Sequence, residues 1–289
     1  MDTADTALPD FDAAPKQLST LQVRERMRVL VVNPQERRLL DDLRVPPYRQ
    51  WIAAVTRLAP SQVEVVDVAD GAALPDTIEA HGIIGGGSVH AAFEDLPWIR
   101  AVKEFYRRAA TRGVPQLHIC WSHQAMVIAN GGMVVRGDNG RRFGIEELRL
   151  TPAGRRDPLF TGLPDTFELF TSHTDVATVL GDDGQADPVE LAYSGHYRNE
   201  AVAFGARVRT LQPHPEVSAD LLMPLARVRR ETLVREGSLG PSKADFDEFL
   251  TGLRAKDERI LRHNRQIFSN WITHFAGAHF LRRPSALPN

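Results

Sequence analysis

Cys120 closes an apolar run, residues 114–120, and a stretch of helical pattern, residues 121–129, follows it at once. A thiol at a strand-to-helix turn points toward a helix N-terminus, where unpaired backbone N–H groups and the helix dipole favour the thiolate. The thiolate is the nucleophilic form, so position and chemistry agree. A single cysteine is most often a small buried hydrophobe, and catalysis requires partners elsewhere in the chain. Two segments supply them. In 210–217, His214 can act as general base and acid, while Glu216, two residues on, can fix the imidazole tautomer and support its charged form. Gly85, Gly86, Gly87 and Ser88 follow another short apolar run. Glycines there let backbone N–H groups approach a developing oxyanion without a Cβ in the way, and the N–H of Trp121 is a second donor.

The elements that must position these groups alternate. Residues 28–33, 62–68 and 81–84 read as short buried strands, and residues 48–58 and 97–112 carry apolar side chains at helical spacing, with Trp98, Val102, Phe105 and Ala109 on one side. Strands without strict polar alternation, separated by helices, predict a mostly parallel central sheet flanked by helices on both faces. Sites in such sheets form at the C-terminal ends of strands, where the glycine loop and Cys120 fall. From 133 to 212 the runs are shorter, at 147–150, 167–170, 191–193 and 201–204, and are expected to extend or flank the sheet. Residues 219–257 are charged and helical in pattern, and a last helix at 258–275 presents Ile260, Leu261, Ile267, Phe268, Trp271 and Ile272 to the core. The expected organisation is a mobile leader over 1–26, one α/β domain over 27–218, and a helical extension over 219–289 packed on the same domain. The extension fits a partner-docking surface as well as a lid.

Bulk properties narrow the classes. A chain of 289 residues with 43% hydrophobic residues can bury a substantial core. One cysteine excludes an internal disulfide framework and fits a reducing compartment. The acidic opening lacks the basic start and apolar core of a secretory signal, and no apolar run approaches a membrane span. We expect a cytoplasmic protein that engages no membrane. A net charge of −2, with both signs scattered, gives no case for nucleic acid as a partner. Arg227, Arg229 and Arg230 read as a solvated helix face. His118, Cys120 and His123 are close in sequence, and on a regular strand positions 118 and 120 share a face. A zinc site needs convergent thiolate and neutral imidazoles, whereas the nucleophile reading already uses Cys120 and His214, so neither a metal nor another cofactor is expected.

The glycine loop, then Cys120 with Trp121, Ser122, His123 and Gln124, then Gly131 and Gly132, then His214 and Glu216, resembles in this chain order the class I (triad) glutamine amidotransferases. The likeness runs from Val29 to Val217, takes in residues 93–99, 143–146 and 172–175, and is similar to the stand-alone glutaminase part of GMP synthase. It implies a flavodoxin-like class I amidotransferase fold. It also implies that Cys120 attacks the side-chain amide of glutamine to give a γ-glutamyl thioester and ammonia, with His214 relaying protons. By the same resemblance Gly87 and Trp121 supply oxyanion N–H groups, and Gly86, Gln124, Ser172 and His173 hold the amino-acid end of glutamine. From the residues alone, Gln124 fits a polar cap on the helix equally well, and Ser172 and His173 fit a turn that satisfies its own backbone.

The chain departs from the family pattern at four places. The usual Gly-x-Cys-x-Gly turn has both glycines replaced, by His118 and Ser122, at an elbow that is sterically tight. Pro213 stands where phenylalanine is usual, and Ser88 where proline is usual. Neither a phosphate loop nor an adenylation loop is present, and the 70 or so residues beyond 218 are too few for a synthetase. Three readings follow. One is a glutaminase that supplies ammonia to a separate synthase. Another is a stand-alone γ-glutamyl hydrolase or peptidase, and the third is a non-catalytic binding or regulatory subunit.

Overall fold

The computed structural model describes residues 19–178 and 188–282. Its main sheet has nine strands: β1 (Val29–Asn33), β2 (Val63–Asp67), β3 (Gly82–Gly85), β4 (Gln116–Ile119), β6 (Arg142–Leu150), β7 (Thr166–His173), β9 (Val189–Ser194), β10 (Ala201–Phe204) and β11 (Val208–Leu211), in the order β2-β1-β3-β4-β11-β10-β9-β6-β7. The pairs from β2 through β11 are parallel, and those from β11 through β7 are antiparallel. Only β10 and β6 therefore run against the other seven. The expected sheet, mostly parallel and flanked by helices, is present. A two-stranded antiparallel sheet of β5 (Met133–Arg136) and β8 (Asp175–Thr178) stands apart from it.

Side chains of β1 alternate between two cores, as a pleated strand buried on both faces requires. Val29 and Val31 face α3 (Tyr48–Thr56) and α7 (Lys243–Trp271), while Leu30 and Val32 face α4 (Pro97–Thr111) and α5 (Trp121–Ala129). The C-terminal helix α7 thus brings Ile267, Phe268 and Trp271, none of them solvent-exposed, into the core shared with α3. Full burial of such side chains is worth about 1.5–3 kcal/mol each. Helix α6 (Ala219–Arg235) joins α7 in a third apolar cluster against Phe170 of β7. A π-helical turn, Ile272–Ala276, and helix α8 (Gly277–Arg282) complete the described chain, in which no helix is long and apolar enough to cross a membrane.

The chain organises earlier than the leader expected over 1–26. Within it, Ser19 opens helix α1 (Thr20–Arg26): its side chain accepts from Gln22 N, Gln22 reciprocates to the Ser19 N–H, and Val23 is buried. Residues 1–18 of that leader and 283–289 of the expected extension lie outside the described residues. A remaining helix, α2 (Arg37–Leu43), follows β1.

Candidate active site

Strands β3, β4 and β11 are neighbours in the sheet and parallel, so their C-terminal ends lie side by side. Just beyond those ends come the glycine loop after Gly85, Cys120 after Ile119, and His214 three residues after Leu211. Three segments far apart in the chain therefore meet at one edge, the position at which open α/β sheets place their sites.

Cys120 has φ 50° and ψ −104°, a conformation that costs a non-glycine residue roughly 1–3 kcal/mol. The backbone bend changes where the sulfur goes. Leu117 and Ile119 face the core shared with α3 and α7, and regular extension would send residue 120 to the opposite face, with His118. Instead Cys120 joins the cluster of Leu117 and Ile119, which corrects the expectation that 118 and 120 share a face. Its N–H donates to Leu211 O at 2.8 Å, fixing the elbow against β11.

His214 Nδ1 lies 2.8 Å from Glu216 Oε1. A carboxylate only accepts, so Nδ1 carries the proton and Nε2 is left for the thiol. Burial opposes charge on this imidazole, but Cys120 and then Glu216 overcome that opposition by charge and hydrogen bonding, and its pKa is raised well above the ordinary value. Tyr48 Oη, fully buried by α3, donates to the same Glu216 oxygen at 3.4 Å. Burial, then the charge of Glu216, raises the pKa of that phenol, so it remains a donor.

Gly87 borders both groups. A Cβ there would lie 2.8 Å from His214 Cε1 and 3.7 Å from Cys120 Cβ. Gly86, expected to contact substrate, ties the loop down: its N–H donates to Val32 O at 3.0 Å, and its carbonyl accepts from Ser122 N and Ser122 Oγ at 3.2 and 2.7 Å. Ser88, in the place of the usual proline, donates from Oγ to Pro34 O at 2.7 Å and anchors the far end of the loop. Trp121 presents its backbone at the first position of α5, while its buried ring packs on Trp98, with centroids 5.3 Å apart.

The departures at the elbow are absorbed by one neighbour. A Cβ at Gly85 would meet Tyr106 Oη at 2.5 Å, His118 Nδ1 at 2.7 Å and Ser122 Cβ at 2.7 Å. The bare backbone of β3 thus makes the room that His118 and Ser122 occupy. His118 Nε2 bonds Gln116 Oε1 at 2.9 Å, and the Ser122 and Tyr106 hydroxyls meet at 2.9 Å. Burial, then the neighbouring His123, holds the His118 pKa down to about 3. His123 in turn bonds Thr210 Oγ1 at 2.7 Å, and burial with the influence of His173 keeps its pKa at about 3. Neither imidazole turns to Cys120 as a zinc ligand would, and among the described residues no three His, Cys, Asp or Glu side chains converge as a metal-binding set.

Of Gln124, Ser172 and His173, Ser172 borders the thiol directly, Gln124 reaches it through Gln212, and His173 turns to Asp175. The Cys120 thiol points to Ser172 O at 3.9 Å. Gln124 Nε2 donates to Asp175 O at 2.9 Å and to Gln212 Oε1 at 3.0 Å, and Gln212 Nε2 donates to Cys120 Sγ at 3.6 Å. Gln212 was not singled out in the sequence, although its place two residues before His214 was a usable signal. His173 turns its Nδ1 to Asp175 O at 3.1 Å, and burial keeps its pKa at about 3. Arg229, expected on a solvated helix face, also reaches the site. Arg230 lies over the Phe246 ring, 5.4 Å from its centroid, and Arg229 Nη1 donates to Ser172 Oγ at 3.0 Å, so the expected solvated arginine face survives only at Arg227.

Residues 48–222 match the family model described as glutamine amidotransferase class-I. Gamma-glutamyl peptidase 4 of Arabidopsis thaliana is 24% identical over 60% of this chain and 68% of its own length. The glutamine-hydrolyzing GMP synthase subunit of Methanoculleus marisnigri is 35% identical over 37% of this chain and 54% of its own. The fold is shared with a solved glutamine amidotransferase of Methylobacillus flagellatus, at a TM-score of 0.68 and 19% identity, over 91% of this chain and 98% of that one.

Proposed function

Taking as premise that the chain belongs to the class-I glutamine amidotransferase family, we propose that it hydrolyses a γ-glutamyl amide through a thioester on Cys120. The observation that carries this reading is the meeting of Cys120, the His214–Glu216 pair and the bare backbone at Gly87 on one sheet edge. His214 Nε2 takes the thiol proton, and the sulfur attacks the amide carbon. The carbonyl oxygen gains the negative charge and is held by the N–H groups of Gly87 and Trp121, a contribution of about 3–4 kcal/mol per donor in comparable sites. As the C–N bond breaks, the imidazolium returns its proton to the departing nitrogen. Water, giving a proton to His214, then attacks the thioester, and glutamate leaves as the thiol is restored. Glu216 and Tyr48 hold the imidazole in the tautomer that each step needs.

The departing nitrogen distinguishes two readings. Stand-alone cleavage of a γ-glutamyl conjugate is favoured by the chain's own helix α6 reaching Ser172 through Arg229, and by the likeness to a γ-glutamyl peptidase. The second reading is a cytoplasmic glutaminase passing ammonia to a separate synthase, for which the likeness to a glutamine-hydrolyzing GMP synthase subunit speaks. The test is amine release from a panel of γ-glutamyl conjugates and ammonia release from glutamine, for wild type beside Cys120→Ala. The thioester reading expects Cys120→Ala to fall to background on every substrate, a loss of at least about 10³-fold. Conjugates turned over faster than glutamine support the stand-alone enzyme. Glutamine preferred over all conjugates, with a rate that rises on adding a synthase, supports the ammonia donor.

A further inference from the structure

Arg229 is linked to the nucleophile's surroundings through Ser172. Its Nη1 donates to Ser172 Oγ at 3.0 Å, and the carbonyl oxygen of the same serine lies 3.9 Å from Cys120 Sγ. Burial, and after it the charge of Arg141, lowers the pKa of the Arg229 guanidinium, while the charges of Cys120 and Glu236 raise it. The neighbouring Arg141 has its own counter-ion: its Nε and Nη2 lie 2.5 and 3.4 Å from the two oxygens of Glu236. Among the described residues no carboxylate lies within ion-pair distance of Arg229, and its one hydrogen-bond partner is a neutral hydroxyl.

A guanidinium withdrawn from water is costly unless an anion meets it. Here no carboxylate of the described residues pairs with it directly, while Ser172 links the charge to the surroundings of the reacting sulfur. We propose that Arg229 binds a carboxylate of the substrate, making the enzyme selective for γ-glutamyl compounds that carry that carboxylate in its ionised form. The inference rests on the γ-glutamyl reading above and adds to it the residue that reads substrate charge. One of the five N–H donors of the guanidinium is taken by Ser172, so enough remain for a two-point grip on a carboxylate. In an extended γ-glutamyl group the α-carboxylate lies four carbon–carbon bonds, about 5 Å, from the carbonyl under attack, and a carboxylate on an amino-acid leaving group lies nearer still. Arg229 is on α6, outside the residues 48–222 that match the family model. This contact is therefore something the C-terminal helix adds to the shared domain.

Two carboxylates can fill the place, the α-carboxylate of the glutamyl unit or that of the departing amino acid, and four substrates separate them. These are γ-glutamylglycine, γ-glutamylethylamine, and the α-amide of each. They are assayed with wild type, Arg229→Gln and Arg229→Lys, with thermal melting of each variant to report folding. Loss of one charged hydrogen-bond pair predicts that Arg229→Gln lowers kcat/KM roughly 10- to 150-fold, mostly through KM, on substrates bearing the carboxylate. On the analogue lacking it, the loss should stay within about threefold, and Arg229→Lys should recover part of the binding without the two-point geometry. If the α-carboxylate is the ligand, both α-carboxylate substrates lose alike and both α-amides do not. If the leaving group supplies it, only the glycine conjugates lose. Equal losses across all four substrates, or none on any, overturn the inference. Failure of the γ-glutamyl reading shows separately, as wild-type inactivity on all four or as activity that survives Cys120→Ala.

Discussion

Two polar clusters flank Cys120, one on each face of the sheet, and they put the same residue type to opposite uses. On the α4 and α5 side, His118 sits among Tyr106, Ser122 and Gln116, with burial holding its pKa down to about 3. On the α3 side, His214 sits against Glu216 and Tyr48, and its pKa is raised well above the ordinary value although burial opposes the charge. What separates them is a carboxylate. Desolvation neutralises a buried imidazole unless a negative charge is placed against it. The first cluster is therefore scaffold and the second is able to move protons, although both histidines are within a few residues of the same strand ends.

The difference is broken most directly by removing the charge. Glu216→Gln keeps the shape but lets the tautomer invert and withdraws support from the imidazolium. The expected loss in kcat is about 10²- to 10⁴-fold, with little change in melting temperature. Next is Gly87→Ala, whose Cβ would arrive 2.8 Å from His214 Cε1. Displacing the imidazole by even about 1 Å should cost around 10²-fold in kcat, with stability nearly unchanged. A wild-type rate in either variant would remove the charged cluster from the chemistry.

The scaffold cluster is sharpened by acid rather than by kinetics. His118, His123 and His173 all have pKa values held at about 3, so the folded protein refuses protons that the unfolded chain accepts below about 6.5. The contribution of these three histidines to stability should be flat above that pH and fall as pH drops from about 6.5 toward 3, by roughly 1.4 kcal/mol per pH unit for each excluded proton. Urea midpoints at pH 7, 5.5 and 4.5 measure the slope, and His118→Asn should flatten it by the share of one histidine. The smallest effect is expected from Ser122→Gly. It removes hydroxyl bonds of 2.7 Å to Gly86 O and 2.9 Å to Tyr106 Oη, costing about 1–2 kcal/mol of stability and changing kcat by less than about threefold. A large kinetic loss with intact stability would move the scaffold cluster into the chemistry.

The same division explains what was legible beforehand. Strands β1, β3 and β4 are runs of apolar residues closed by turns, and the order Gly87, Cys120, His214 needs no geometry to be seen. Strand β11 was missed, although it lies at the centre of the sheet, because Arg209 and Thr210 give it a polar reading. Arg209 is buried because Asp157 lies 2.8 Å away, the carbonyls of Gly205 and Val208 accept from its Nη1, and the Phe275 ring lies 4.9 Å from its guanidinium carbon. Such pairing across 52 positions leaves no local trace. Arg229 was hidden for the same reason, since nothing in its own helix marks the strand it meets. Gln124 was ambiguous between a cap and a ligand contact, and its bonds to Asp175 and Gln212 link it to the thiol through another side chain. The elbow flip at Cys120 is confined to the φ and ψ of one residue, which no periodicity encodes.

Gly85 has a consequence for the routes along which such a chain can change. Its missing side chain is the space that Tyr106, His118 and Ser122 share, so alanine at 85 is excluded while histidine stands at 118. The order of substitutions then matters. With glycine at both 118 and 122, a Cβ at 85 has only the Tyr106 hydroxyl left to displace, and that narrower opening closes once the two larger residues arrive. Position 85 becomes a ratchet: returning to the glycine elbow is open at any time, whereas filling the neighbouring strand first closes the path to this one.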